Sequence, residues 1–171
     1  MRKTRVWITL GCCLFAVAAF AQAQTTRKPG LWEMTTSMTF QQSPMPPGMQ
    51  APAGSPFAGG PHTMQVCLTQ AMIDKYGGPM SQPRGDCQVT DVVMKPDGMT
   101  ANLVCTGRTN GTGTVETSWT EPDHTRSKVH FTGTLQMGPN SRPIEWTSES
   151  VSVYKGPDCG SVQPVQIPAG K

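Results

Sequence analysis

From Trp32 onward, apolar and polar residues alternate with a period of two, a pattern that restricts the chain to β-strands with one buried face. In the first run Trp32, Met34, Thr36, Met38 and Phe40 share a face, opposite Glu33, Thr35, Ser37 and Thr39. Met64, Val66 and Leu68 repeat the pattern over a shorter stretch, and Met99, Ala101, Leu103 and Cys105 do so again. Val115, Thr117 and Trp119 follow. Val129, Phe131, Leu135 and Met137 then face inward, while Lys128, His130, Thr132 and Gln136 face out. The last run starts with Ile144 and Trp146 on one face and ends with Val151 and Val153 on the other. That change of parity predicts a bulge near Ser148 to Ser150. Turn chemistry separates the runs at Pro96-Asp97-Gly98, Asn110-Gly111, Pro122-Asp123 and Gly138-Pro139-Asn140.

One helix interrupts the pattern. Thr69 can cap a turn from Gln70 to Tyr76, and Gly77 and Gly78 end it. Leu68 before the cap and Ile73 inside it have hydrophobic-staple spacing. The fold class is therefore mainly β. We expect a single antiparallel curved sheet of about seven strands, a meander or sandwich-like, with one short helix near 70–76.

The first 23 residues follow a different logic. Arg2, Lys3 and Arg5 precede an apolar stretch from Val6 to Phe20, and small residues close it at Ala19-Phe20-Ala21 and Ala21-Gln22-Ala23. This is the form of a secretory signal peptide, and at about 15 residues the apolar run falls short of the roughly 20 that a membrane span needs. Cys12 and Cys13 lie in mid-run, so a lipid attachment site fits poorly. Cleavage is expected after Ala23, with Ala21 as the alternative, leaving one β-rich domain over 24–171. The mature chain then has 11 basic and 11 acidic residues, because three of the 14 basic residues leave with the signal. The remaining Lys and Arg are scattered, which disfavours nucleic acid, and stable membrane insertion after cleavage is not expected.

Four cysteines stay in the mature chain: Cys67, Cys87, Cys105 and Cys159. An even number in an oxidising compartment reads as two disulfides, and no Cys-x-x-Cys pair offers a zinc or thioredoxin-like site. Three pairings are possible. Cys87–Cys105 with Cys67–Cys159 is preferred, because Cys87 and Cys105 flank a hairpin. A five-residue loop over Met94 to Gly98 would set Val93 opposite Met99 and Cys87 opposite Cys105, whereas a tighter loop at Asp97-Gly98 would offset the cysteines by three residues. On the chain-entropy model such a bridge contributes about 3 kcal/mol.

Residues 41–62 hold six prolines and four glycines, which opposes both helix and ladder hydrogen bonding. They read as a flexible loop inside the domain, and the tail after Cys159 reads as similarly loose. Met45, Met49 and His62 in this loop, with Met64 just beyond it, are thioether and imidazole donors of the kind that suits copper(I). The plainer reading makes Met34, Met38, Met64, Met99 and Met137 core filler.

Lys28-Pro29-Gly30-Leu31-Trp32-Glu33 follows the signal, Cys67-Leu68-Thr69 precedes the helix, and Asp158-Cys159-Gly160 comes near the end. In the order and spacing of these motifs the chain resembles the bacterial family called domain of unknown function 3617, named for its Gly-Leu-Trp motif. The resemblance covers nearly the whole mature chain. It implies a small exported protein of a Gram-negative bacterium, located in the periplasm, and supplies no catalytic residues. Read as residues, Gly30 permits a bend, and Leu31 and Trp32 anchor the first strand.

Enzyme chemistry finds little support. No Gly-x-Ser-x-Gly elbow is present, and the glycine-rich run Thr109 to Thr114 lacks the lysine of a phosphate loop and reads as a hairpin turn. His124 beside Asp123 reads as a hydrated loop dyad. Glu116 and Glu145 could face each other as a glycosidase pair must, but an all-β surface commonly carries such carboxylates. We expect no enzyme and no cofactor. The expectation is a binding or interaction module for a protein or a small apolar ligand, with a copper-handling protein as the alternative.

Overall fold

The computed structural model describes residues 27–45, 48, 60–79 and 86–164. The expected signal peptide, Met49 and most of the 41–62 stretch lie outside the described residues. Seven strands follow the alternation: β1 (Gly30–Gln42), β2 (Pro61–Leu68), β3 (Cys87–Lys95), β4 (Gly98–Thr106), β5 (Thr109–Glu121), β6 (His124–Met137) and β7 (Asn140–Gly156). The helix α1 (Gln70–Tyr76) stands between β2 and β3. All strand pairs are antiparallel, in one open sheet of order β2-β1-β7-β6-β5-β4-β3. Strands β3 to β7 form a meander, and β1 with β2 is added at the β7 side. The expected single antiparallel sheet forms, and of the meander and sandwich-like alternatives β3 to β7 adopt the meander.

The predicted inner face is the core. Trp32, Met34, Leu68, Met99, Ala101, Leu103, Cys105, Val115, Trp119, Phe131 and Ile144 are all buried. Phe131 stacks on Trp146 at 5.5 Å between centroids, and Trp32 meets Tyr154 edge-on at the same distance. Met64, in the edge strand β2, and Met137, at the end of β6, are 47% and 37% exposed and so are only partly filler.

Helix α1 covers part of this face with the ends the sequence predicts. Thr69 accepts a hydrogen bond from the Met72 amide, and Gly77 closes the helix in the left-handed region at φ 75°, donating its amide to the Ile73 carbonyl. Met72 and Ile73 pack with Trp32 and Leu68, while Tyr76 also reaches the larger cluster around Trp119 and Phe131. A Cβ on Gly77 would lie 2.5 Å from Trp119 Cη2, so glycine meets a packing need here as well as a backbone one.

Both preferred disulfides form, Cys67–Cys159 and Cys87–Cys105. The loop expected to align the second does not. Lys95 pairs with Gly98, so only Pro96 and Asp97 make the turn, and Val93 sits opposite Thr100 instead of Met99. This tighter turn offsets the strands by one residue. A bulge between Thr90 and Val93 then absorbs the extra residue and returns Cys87 to Cys105.

Three further expectations give way. No bulge occurs at Ser148 to Ser150; β7 runs in unbroken register against β6, and Ser148, Ser150 and Ser152 continue the buried face of Ile144. Small hydroxyls can stand there because they pair across strands, Thr36 with Ser150 at 2.7 Å and Thr117 with Ser127 at 3.0 Å. Asn110-Gly111 is not a turn but part of β5, opposite Thr106 and Cys105. At φ 154°, Gly111 lies so close to β6 that a Cβ would overlap the Thr132 carbonyl. Finally, the loop is shorter than 41–62: Gln41 and Gln42 finish β1, and Pro61 and His62 begin β2. The tail also has local order, since the Asp158 carboxylate accepts from the Gly160 amide and Pro164 bridges to Cys67.

Candidate functional site

With one face of the sheet committed to the core, side chains at the alternate positions form a second, polar face. The pairing register arranges them in rows. One row runs Val93, Thr100, Glu116, Lys128, Glu149 across β3 to β7, and the next runs Lys95, Gly98, Ser118, Arg126, Val151. Gly98, Thr100 and Ser118 are small and make a floor between longer charged neighbours. The outcome is a cleft of about 590 Å³ whose lining includes Lys95, Asp97, Glu116, Arg126, Lys128 and Glu149. Lys128 Nζ lies 3.5 Å from Glu149 Oε1. Among the described residues, Arg126, Lys95, Glu116 and Asp97 have no ion pair. The cleft thus holds three cations and three carboxylates, most of them uncommitted, around hydroxyl groups.

Sequence reasoning did not find this cleft, although one signal was available. Arg126 and Lys128 sit at i, i+2 on the polar phase of β6, and Glu149 and Val151 do so on β7. Which of the polar positions share a row depends on register, which the alternation does not contain.

The catalytic candidates separate. Glu116 is in the row of Lys128 and Glu149, whereas Glu145 is opposite Thr132, so the two do not face each other. His124 pairs with Glu121 at 3.0 Å instead of with Asp123, whose carboxylate goes to Lys28 at 3.4 Å. An unpredicted constellation joins β6 to β7: His130 Nδ1 is 3.3 Å from Thr147 Oγ1, and its Nε2 is 3.6 Å from Glu145 Oε1. That is the order of a hydroxyl, base and acid. Yet the three project from paired strands, whose amides are taken up by the ladder, so an oxyanion would meet no free backbone donors. Thr147 also accepts from Gln41 Nε2 at 3.0 Å, as a member of a surface network.

The Gly-Leu-Trp motif is built into packing. Gly30, at φ 135°, lies against Gly156, where a Cβ would overlap the Gly156 carbonyl. Trp32 is wholly buried and donates Nε1–H to the Lys28 carbonyl at 3.0 Å. The residues before it strap across the sheet end. Tyr154 donates to the Pro29 carbonyl at 3.4 Å, and the Arg27 guanidinium lies 3.5 Å above the Trp119 ring. Among the described residues, buried Arg27 Nε and Nη1 have no hydrogen-bond partner, and desolvation lowers the group from its ordinary value to about 10.

Of the suggested metal donors, Met45 follows β1 and is half-buried, while His62 and Met64 belong to β2 and are exposed. Among the described residues no group of three or more His, Cys, Asp or Glu could hold a metal ion. No described helix is long and apolar enough to cross a membrane.

A family model described as "Protein of unknown function (DUF3617)" matches residues 27–159. The chain belongs to the DUF3617 family. The match begins at Arg27, whose guanidinium lies over Trp119, and ends at Cys159, the second half of the long disulfide, so it takes in all seven strands and both bridges. No curated protein and no solved structure matches the chain.

Proposed function

We propose that this member of the family is an exported, periplasmic binding module without catalytic machinery, and that its partner engages the polar cleft between β3 and β7. The observation that carries the reading is the cleft itself, about 590 Å³ in volume with uncommitted charges of both signs. The apolar face favours no rival site, because Trp32, Trp119 and Phe131 are each at most 1% exposed beneath their neighbours. A polar partner bearing both charges, such as a segment of another protein, therefore suits the cleft better than a small apolar ligand. Two disulfides fit an oxidising compartment. The lack of free oxyanion donors beside Thr147 supports binding over catalysis.

The reading is tested by placing a photo-crosslinking residue at Ser118 in exporting cells. A discrete product is expected, absent when Glu116→Lys and Arg126→Glu are combined and absent when the crosslinker sits at Thr112, outside the cleft. Equal products at Ser118 and Thr112, or none at either, would overturn it. The mass of the protein recovered from the periplasm should correspond to a chain beginning at Gln24.

A further inference from the structure

The register of β1 against β2 gathers donors that the sequence scatters. Met64 is directly opposite Met34, and His62 is directly opposite Thr36, the next inward position along β1. Met38 shares the face but lies about 13 Å along β1 from Met34, too far to bind the same ion. Opposed residues have Cβ atoms about 5 Å apart, and diagonal or i, i+2 neighbours about 7 Å apart. The thioethers of Met34 and Met64 and the imidazole of His62 are therefore spaced within reach of a common point beside Thr36. Burial grades the group from floor to rim: Met34 is 2% exposed, Met64 47% exposed and His62 exposed. Strand β2 is the sheet edge, so the rim faces solvent.

Charge decides which ion such a set suits. Glu33 points to the other face and pairs with Lys155 at 2.8 Å. Beside the donors, on their own face, β7 presents Ser148, Ser150 and Ser152. The site then offers soft, neutral ligands and no carboxylate. A hard divalent ion would find neutral hydroxyls but no compensating charge, whereas a soft monovalent ion suits thioethers and imidazole.

We propose that His62, Met64 and Met34 form a site for a soft monovalent cation of the copper(I) kind at the β1–β2 edge. This differs from a site on the preceding loop, since β-pairing and not local sequence assembles it. It is independent of the charged cleft, which lies on the opposite face.

Silver(I) is the probe, because it is redox-inert and leaves both disulfides oxidised. With methionine methyl groups labelled in the full mature protein, one equivalent should shift the resonances of Met34 and Met64 and the ring protons of His62. Those of Met94, Met99 and Met137 should stay in place. Combining His62→Ala with Met64→Leu, both at exposed positions, should weaken silver binding at least about 100-fold. Combining Met45→Leu with Met49→Leu should leave it unchanged. Shifts spread over all exposed methionines, affinity retained in the first pair, or affinity lost in the second would each overturn the proposal.

Discussion

Asn102 Nδ2 donates to Asp91 Oδ2 at 2.9 Å across β3 and β4, and so holds in place the residue that the ladder between these strands leaves out. Thr90 donates to the same carboxylate oxygen at 3.1 Å. Asp91 is the sole described non-glycine with positive φ, at 51°, a region that Asp enters more readily than most residues. The disulfide Cys87–Cys105 thus depends on a bulge four residues away.

Replacing Asp91 by Ala removes both acceptor contacts while keeping the unfavourable backbone angle. We expect a loss of about 1–2 kcal/mol in urea unfolding. Deleting Asp91 altogether has a different expected outcome. Thr90 then remains opposite Asn102, Val92 meets Ala101, and Cys87 still meets Cys105 without a bulge. Intact mass under alkylating conditions should show both disulfides in the deletion variant; free thiols there would refute the register argument.

Gly77→Ala combines a left-handed backbone with a Cβ directed into Trp119. The expected loss is at least about 2 kcal/mol, read from the shift in urea midpoint. Gly138→Ala has a similar φ of 62° but nothing within 4 Å of the added carbon, and should lose less. Equal losses would show that Trp119 does not press on the helix end.

Arg27 links stability to pH at the alkaline end. Its folded-state pKa, about 10 through desolvation, lies below the ordinary guanidinium value, so the native state gives up the proton first. Stability from this group therefore rises as pH climbs from about 10 towards the unfolded value, and is flat below it. Compared with Arg27→Met, which keeps an apolar stem over Trp119, the wild type should gain ground between pH 10 and 11. Between pH 7 and 9 the difference should be constant, as paired urea titrations can show.

The Thr147, His130 and Glu145 arrangement gives a direct check on the non-catalytic reading. Hydrolysis of an activated acetyl ester should not exceed the background of free imidazole, and Thr147→Ala should leave the rate unchanged. A burst phase abolished by that substitution would identify an acyl-enzyme and overturn the reading.

Local chemistry explains why some features were legible beforehand. The cap at Thr69 and the stop at Gly77 follow from nearest neighbours, as does the buried phase of Met99 to Cys105. Where the reading failed, a neighbouring strand had replaced a local rule. Asn110-Gly111 looks like a turn alone but is strand because β6 approaches Gly111. Ser148, Ser150 and Ser152 look solvent-facing until Thr36 and the hydroxyls of adjacent strands are set beside them.

The period-two alternation by itself determined the mainly β class and the buried face of most strands, though not of the second half of β7, because a pleated backbone sends successive side chains to opposite sides. The cysteine count determined that two bridges were available. Tertiary structure alone decided who stands beside whom. The order β2-β1-β7-β6-β5-β4-β3, the Asp91 bulge, the charged rows of the cleft and the gathering of His62 with Met64 and Met34 all depend on register. Register is fixed by turn geometry and packing between distant segments, and a periodic pattern looks the same after a shift of two residues.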